Sequence, residues 1–263
     1  IATRPPYIRA DDSGRYLMMA HYATGEINVY RIQDGIVTDE HLDYHKTEKT
    51  AHCVEMDPSG RFVYVPHTSP NAIYQYVLDS GTGKLIPNDP PVVSGPDEEH
   101  QYHQPRHIAF HPTLSMAFTS NERGGGISAY SLNRKTGALK LKQTLSALPE
   151  GYSGGAAAAD IRITPNGKFV YVSNRDVEDR EPHQDSIAAF SINRRGDLQR
   201  VGTYPAVWFP RSMTINQSGR FLYAAGQKSG TLISYAIDAK TGALRALKTY
   251  DVGDGTIWAM CVE

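Results

Sequence analysis

The sequence predicts an all-β protein, a β-propeller with about five full blades in the chain. Three observations carry this: a turn motif that recurs at near-constant spacing, short strand-like runs on either side of it, and no segment with a sustained helical period. The turn recurs as "DDSGRYLMMAHY", "DPSGRFVYVPHT", "TPNGKFVYVSNR" and "NQSGRFLYAAGQ", with "HPTLSMAFTSNE" as a further copy in which Leu114 stands where the others have Gly14, Gly60, Gly167 and Gly219. Successive copies lie 46, 54, 53 and 52 residues apart. Each repeat is a hairpin signal continued by an alternating strand, "INVYRI", "IYQYVL", "ISAYSL", "IAAFSI" or "LISYAI", and three copies close on a "TGKL" or "TGAL" turn. Repeats of about fifty residues with four short strands bury their surfaces as blades packed around a channel, whereas a sandwich needs no near-identical repeats.

Residues 1–263 are expected to form a single propeller domain. The last segment, "DVGDGTIWAMCVE", is expected to begin a sixth blade with a first strand that lacks its turn. Because the chain opens "IATRPPY" without a methionine, upstream sequence is expected to be missing.

Bulk properties exclude several classes of function. The formal charge is −1 and the sequence pI about 6.9, which leaves no basic footprint for nucleic acid or for an anionic membrane. No apolar run is long enough for a membrane-spanning helix. With two cysteines, Cys53 and Cys261, and no charged leader followed by an apolar run, the expected setting is a reducing, cytoplasmic one. Nothing in the sequence reads on oligomeric state.

Aligning the repeats on the turn position locates a candidate site. Eight residues before it stand Pro6, His52, Arg106, Ala159 and Arg211; eight after it stand Tyr22, Thr68, Glu122, Arg175 and Gln227. These strands are antiparallel neighbours, so both columns should meet at the blade end opposite the turns. A structural column repeats one residue type, but these change from blade to blade and sum to a cationic ring. Adjoining positions add His21, His67, Asn121, Asn174 and Lys228, and Cys53, His107, Asp160 and Ser212. Such a ring suits an anionic small molecule held by arginine forks. The bland alternative is a rim salt bridge between Arg106 and Glu122 within one blade.

The stretch "HQYHQPRHIAFHP" holds four of the ten histidines. Arg106 belongs to the ring; alternation turns His107 away, to pack between blades, and puts His111 in the turn as a structural hydrogen-bonding group. His100 and His103 fall in the loop above the site, with His103 placed to contact a phosphate or hydroxyl. His100, His103 and His107 have metal-like spacing, but no helix carries them and strand alternation separates them, so neither a metal nor a cofactor is expected.

The segments "QPRHIAFHP", "TSNER", "LPEGYSGGAAAADIRITPNGKFVYVSNR", "FPRSMTINQSGRFLYAAGQKS" and "VGDGTIW" resemble, in order, the bacterial propeller-type 6-phosphogluconolactonases. Their family also contains the fungal carboxy-muconate cyclases. The resemblance runs from the first residues to the last. It implies seven blades, with roughly the first blade and a half absent from this chain, and a lactone hydrolase that is not metal-dependent, acting on 6-phospho-glucono-1,5-lactone, a small anionic sugar lactone of the oxidative pentose phosphate route. The family's site positions carry over to His52, Arg106, Glu122 and Arg175, all within the two columns. The chain departs from the family where Gln104 replaces the usual glycine before Pro105, in the acidic, histidine-rich lead "DEEHQYH", and in a longer loop after Arg175.

Lactone opening requires a base, oxyanion stabilisation and a proton for the leaving oxygen. The expected roles are Glu122 as base, Arg106 and Arg175 at the oxyanion and His52 as acid. Arg211 and Lys228 are expected on the phosphate, with His103, Asp160 and Gln227 as further substrate contacts. Two alternatives share the site: a carboxy-muconate-type cycloisomerase, and a non-catalytic propeller that binds partners.

Overall fold

Each recurrent turn is closed by the side chain that opens it. Asp11 Oδ1 accepts the backbone N–H groups of Arg15 and Tyr16 at 2.8 and 2.7 Å, and Asp57 Oδ1 accepts that of Phe62 at 3.0 Å. Asn216 does the same for Arg220 and Phe221. In the copy without glycine, His111 Nδ1 accepts from Thr113 and Leu114 while its Nε2–H donates to Gly167 O, which is the structural role expected of it. Gly14, Gly60, Gly167 and Gly219 all have φ between 66° and 71°, a left-handed conformation that suits glycine.

The computed structural model describes residues 4–99, 101–178 and 181–262 and contains no helix among them; none therefore is long and apolar enough to cross a membrane. His100 of the sequence-predicted loop lies outside the described residues. Twenty strands form five antiparallel blades. The first comprises β1 (Tyr7–Ala10), β2 (Tyr16–His21), β3 (Glu26–Gln33) and β4 (Ile36–Lys46). The second comprises β5 (Glu55–Met56), β6 (Phe62–His67), β7 (Ala72–Leu78) and β8 (Leu85–Ser94). The third comprises β9 (His103–Phe110), β10 (Met116–Arg123), β11 (Gly126–Leu132) and β12 (Leu139–Ser146). The fourth comprises β13 (Ala156–Ile163), β14 (Phe169–Asp176), β15 (Ser186–Ile192) and β16 (Leu198–Pro205), and the fifth β17 (Pro210–Ile215), β18 (Phe221–Gly226), β19 (Thr231–Ile237) and β20 (Leu244–Asp251). A single pairing, Arg123 with Ala157, joins the third and fourth blades at the end opposite the turns.

The expected sixth first strand does not form. Residues 252–262 make no ladder; instead Ala259 and Cys261 donate their N–H groups to the Ser212 and Thr214 hydroxyls of β17, and the Trp258 ring meets Tyr7 edge-on at 5.3 Å. Among the described residues no strand lies beside this segment to pair with its backbone.

The core lies between blades. One cluster spans the first three blades, with Tyr16, Phe62, Tyr64 and Tyr130 buried in it; two more join the third to the fourth and the fourth to the fifth. From the second blade to the fifth, the outer-turn glycine fits against the second strand of the blade before it. A Cβ would lie 2.5 Å from Tyr16 at Gly83, 2.2 Å from Phe62 at Gly137, 2.5 Å from Met116 at Gly196 and 2.3 Å from Phe169 at Gly242. Two of these contacts are locked further, because Tyr64 and Tyr171 donate their hydroxyl protons to the carbonyls of Gly137 and Gly242 at 2.7 and 2.9 Å.

Gly137→Ala is therefore expected to cost about 3 kcal/mol, from overpacking against Phe62 plus left-handed strain. Gly14→Ala, at a similar φ but with no atom within 4 Å of the new Cβ, should cost about 1 kcal/mol. Urea-unfolding midpoints of the two variants test the difference.

Candidate active site

The first strand of a blade delivers its polar side chain through an irregularity. Between β9 and β10, Pro105 pairs with Asn121 and His107 with Ser120, which leaves Arg106 as an extra residue. Between β17 and β18, Arg211 is skipped in the same way, and between β13 and β14 Ala159 and Asp160 are. Bulges of this kind re-aim side chains and are common beside active sites. Two residues before His52, Arg106 and Arg211 stand Thr50, Gln104 and Phe209, with φ of 70°, 67° and 62°. Non-glycine residues hold this conformation at a cost of order 1–3 kcal/mol and need support from their surroundings. The departure at Gln104 is explained by this geometry: glycine suits the position, and here the Gln104 N–H is held by Asn71 Oδ1 at 2.8 Å.

These devices bring the predicted cations together. Arg106 is 1% exposed; its Nη1 donates to Ala159 O at 2.6 Å and to His107 Nε2 at 3.1 Å, and its Nε lies 3.6 Å from Glu122 Oε1. Arg175 Nη2 donates to the same Glu122 oxygen at 2.7 Å. Glu122 thus bridges the third and fourth blades rather than forming a pair confined to one. Burial works to raise the Glu122 carboxyl, but Arg106, Arg175 and Arg211 together outweigh it and hold the group below the usual carboxylate range. Burial, with Arg175 adding repulsion, pushes Arg106 down to about 9, so it remains charged at neutral pH.

A cavity of about 360 Å³ opens beside this group, lined by His52, Arg106, His107 and Arg211 on its polar side and by Tyr7 and Trp258 on its apolar side. Burial first, then Arg106, His107 and Arg211, depress His52 well below the ordinary histidine range. It is a neutral imidazole at pH 7, suited to donating a hydrogen bond but not to storing a proton, which revises the acid role expected from the sequence. Its Nδ1, Arg106 Nε and Gln227 Oε1 are buried without partners. Unsatisfied polar atoms around one site mark where a ligand would supply the missing partners.

Three expectations are corrected. Asp160 does not face substrate: it is 1% exposed and its lone pairs are taken. Oδ1 accepts from His107 Nδ1 at 3.0 Å and Ile161 N at 2.8 Å, while Oδ2 accepts from Met213 N at 2.7 Å and pairs with Arg162 at 3.1 Å. His107, expected between blades, instead lines the cavity because the bulge at Arg106 breaks strict alternation. With its Nδ1–H on Asp160, His107 presents Nε2 as an acceptor to Arg106, and its ring contacts His52 at 5.2 Å. His103 lines a separate crevice with Glu98, Glu99 and Arg123 rather than this cavity. Both ring nitrogens of His107 being engaged, it does not join His103 in a metal site, and no group of three or more candidate ligands converges among the described residues.

Lys228 is exposed, with Nζ 4.6 Å from the Phe209 ring centre and 5.2 Å from that of Trp208. Gln227 is half-buried beside it and donates its N–H to Phe209 O at 3.0 Å.

Residues 2–262 match the family described as "Lactonase, 7-bladed beta-propeller". The chain belongs to this lactonase family. It is 34% identical over 259 residues to a 6-phosphogluconolactonase of Pectobacterium carotovorum subsp. carotovorum (strain PC1), and 34% identical over 256 residues to one of Serratia proteamaculans (strain 568). Each alignment covers 97% of this chain and 73% of the relative. Among solved structures, the periplasmic gluconolactonase of Pseudomonas aeruginosa superposes with a TM-score of 0.84 at 23% identity, covering 97% of this chain and 72% of that one. A protein from Lactobacillus plantarum superposes equally well, at 0.84 and 24% identity over 97% and 73% of the two chains. These two structures establish the shared propeller fold, of which this lactonase-family chain shows five blades.

The buried histidines give a signed pH dependence. Burial, then Arg106, lowers His107 to about 4, and burial lowers His67 to about 4. An unfolded chain binds these protons near pH 6.5, whereas the folded one does not until about pH 4, so acidification through that window favours unfolding. Asp160, held well below the usual carboxylate range, adds slope of the same sign only below about pH 5, where the unfolded chain begins to bind its proton. Urea midpoints measured at pH 7, 6 and 5 should fall steadily, by up to about 1.4 kcal/mol per pH unit for each such histidine; a flat series would show that they protonate freely in the folded state.

Proposed function

We propose that this chain hydrolyses 6-phospho-glucono-1,5-lactone to 6-phosphogluconate, a lactonase of the oxidative pentose phosphate route. The observation that carries the reading is one carboxylate, Glu122, set against Arg175 and close to Arg106 beside a cavity with unsatisfied buried polar atoms. The curated relatives named 6-phosphogluconolactonase, about one-third identical along almost the whole chain, support the substrate.

In this mechanism Glu122 removes a proton from water as the water oxygen bonds to the lactone carbonyl carbon. Arg106 and Arg175 stabilise the negative charge that develops on the carbonyl oxygen; aimed from a water-poor wall, such donors act strongly. The ring C–O bond then breaks, and the departing oxygen takes the proton from Glu122 while the neutral His52 imidazole hydrogen-bonds to it. The carboxylic acid released ionises. Holding Glu122 below the usual carboxylate range makes it a weak base, but sugar lactones also open unaided, so a modest acceleration suffices. Arg211 and Lys228 receive the phosphate, while the unpartnered Oε1 of Gln227, which can only accept, takes a hydrogen bond from a sugar hydroxyl.

The reading takes the chain as one propeller domain working in the cytoplasm. Two unpaired thiols, Cys53 and Cys261, support the compartment.

Acid release from freshly generated 6-phosphogluconolactone, corrected for spontaneous opening, tests the assignment. Glu122→Gln should lower kcat about 100-fold, and Arg175→Ala should lower kcat and kcat/KM together. Because its neighbours keep Glu122 ionised, the acid limb of kcat/KM should fall below pH 4.5. Rates equal to the spontaneous one in the intact chain would remove the reading.

A further inference from the structure

Phe209 shares the left-handed backbone of Thr50 and Gln104, at the equivalent place in its blade, but alone of the three puts an aromatic side chain there. It is not a glycine, yet its φ is +62°. It also precedes Pro210, and residues before proline favour extended backbone, so two local preferences are violated at once. Its carbonyl and its ring are both held. The carbonyl accepts from Gln227 N at 3.0 Å, and the ring lies 5.1 Å from Arg175 Cζ and 4.6 Å from Lys228 Nζ.

The two cations differ. Arg175 is neutralised by Glu122, whereas Lys228 has no carboxylate partner within ion-pair distance among the described residues. Lys228 rests instead on two aromatic rings, Phe209 and Trp208, and Trp208 is itself stacked on His183 at 4.1 Å. An ammonium held over ring faces keeps its charge and loses conformational freedom, and so forms a ready receptor for an anion.

We propose that Phe209 is a positioning residue, whose ring holds Arg175 and Lys228 as a paired receptor and so sets the preference for sugar lactones bearing an anionic group away from the carbonyl. The inference rests on the lactonase reading and sharpens it: Arg175 serves the carbonyl end, Lys228 the distant phosphate, and Phe209 the spacing between them.

The test measures Kd for 6-phosphogluconate and for gluconate by calorimetry, alongside kcat/KM for the two corresponding lactones. The intact chain is compared with Phe209→Leu, Phe209→Gly, Phe209→Tyr, Lys228→Met and the Phe209→Leu/Lys228→Met double variant. The intact chain should bind the phosphorylated acid more tightly, and Phe209→Leu should cut that preference about fivefold. Phe209→Gly, which suits the left-handed backbone, should do the same without strain, and Phe209→Tyr should restore the preference. With Lys228 already replaced, Phe209→Leu should change the ratio no further, since the two act together. Equal or absent affinity for both acids in the intact chain, equal losses for both acids in the leucine and glycine variants, or an undiminished effect without Lys228 would each overturn the proposal. If neither lactone is opened faster than spontaneously, the lactonase reading fails, while the ratio of the two Kd values still decides the role of Phe209.

Discussion

A single buried carboxylate, Asp160, ties the site to its scaffold. An anion with 1% exposure is tolerated only when its lone pairs are met, and the cost of leaving it bare would be several kcal/mol. Its partners come from three consecutive blades: His107 from the third, Ile161 N and Arg162 from its own, and Met213 N from the fifth. Satisfying Asp160 therefore fixes the relative positions of three inner strands. It also sets the His107 tautomer, which in turn gives Arg106 an acceptor on the side away from Glu122. The guanidinium that faces the cavity is thus placed by a carboxylate that never meets solvent.

Around this hub the site gathers positive charge in an almost neutral molecule. Arg106, Arg175 and Arg211 approach closely enough that each perturbs its neighbours: Arg106 is lowered, His52 is kept neutral and Glu122 is kept ionised. Glu122, paired with Arg175 and near Arg106, offsets part of that charge, while Asp160 is fully engaged behind it. A guest carrying negative charge relieves the repulsion, and a neutral guest leaves it in place. In the proposed reaction, a preference for an anionic lactone would therefore originate in the crowding of like charges as much as in any one hydrogen bond.

Much of this was legible in the sequence. Repeating glycine turns and alternating runs foretold the hairpins, and the two columns eight residues either side of the turn correctly grouped Arg106, Glu122, Arg175, Arg211 and His52. The failures share a cause. Column arithmetic assumes an uninterrupted ladder, and the strands that matter are bulged at Arg106, at Ala159 and Asp160, and at Arg211. The bulge is why His107 turned out to face the cavity. Nor does any sequence signal mark Phe209 as left-handed, because it precedes proline and the local preference points the other way; at Gln104 the one hint is the glycine usual there in the family it resembles. The residue types were visible; their aim depended on backbone irregularities supported by distant partners such as Asn71.

The glycine seats between blades give the array a direction. Each outer turn docks on the blade preceding it, so a blade is completed by its successor and completes its predecessor in turn. The repeat that behaves as a self-sufficient part is accordingly not the four-stranded sheet that the eye picks out. It runs from the second strand of one blade to the outer turn of the next, staggered across the boundary. A gain or loss of blades that respects this stagger keeps every large side chain beneath its glycine, whereas an exchange cut at the visible sheet edges would pair each of them with a turn that evolved against another.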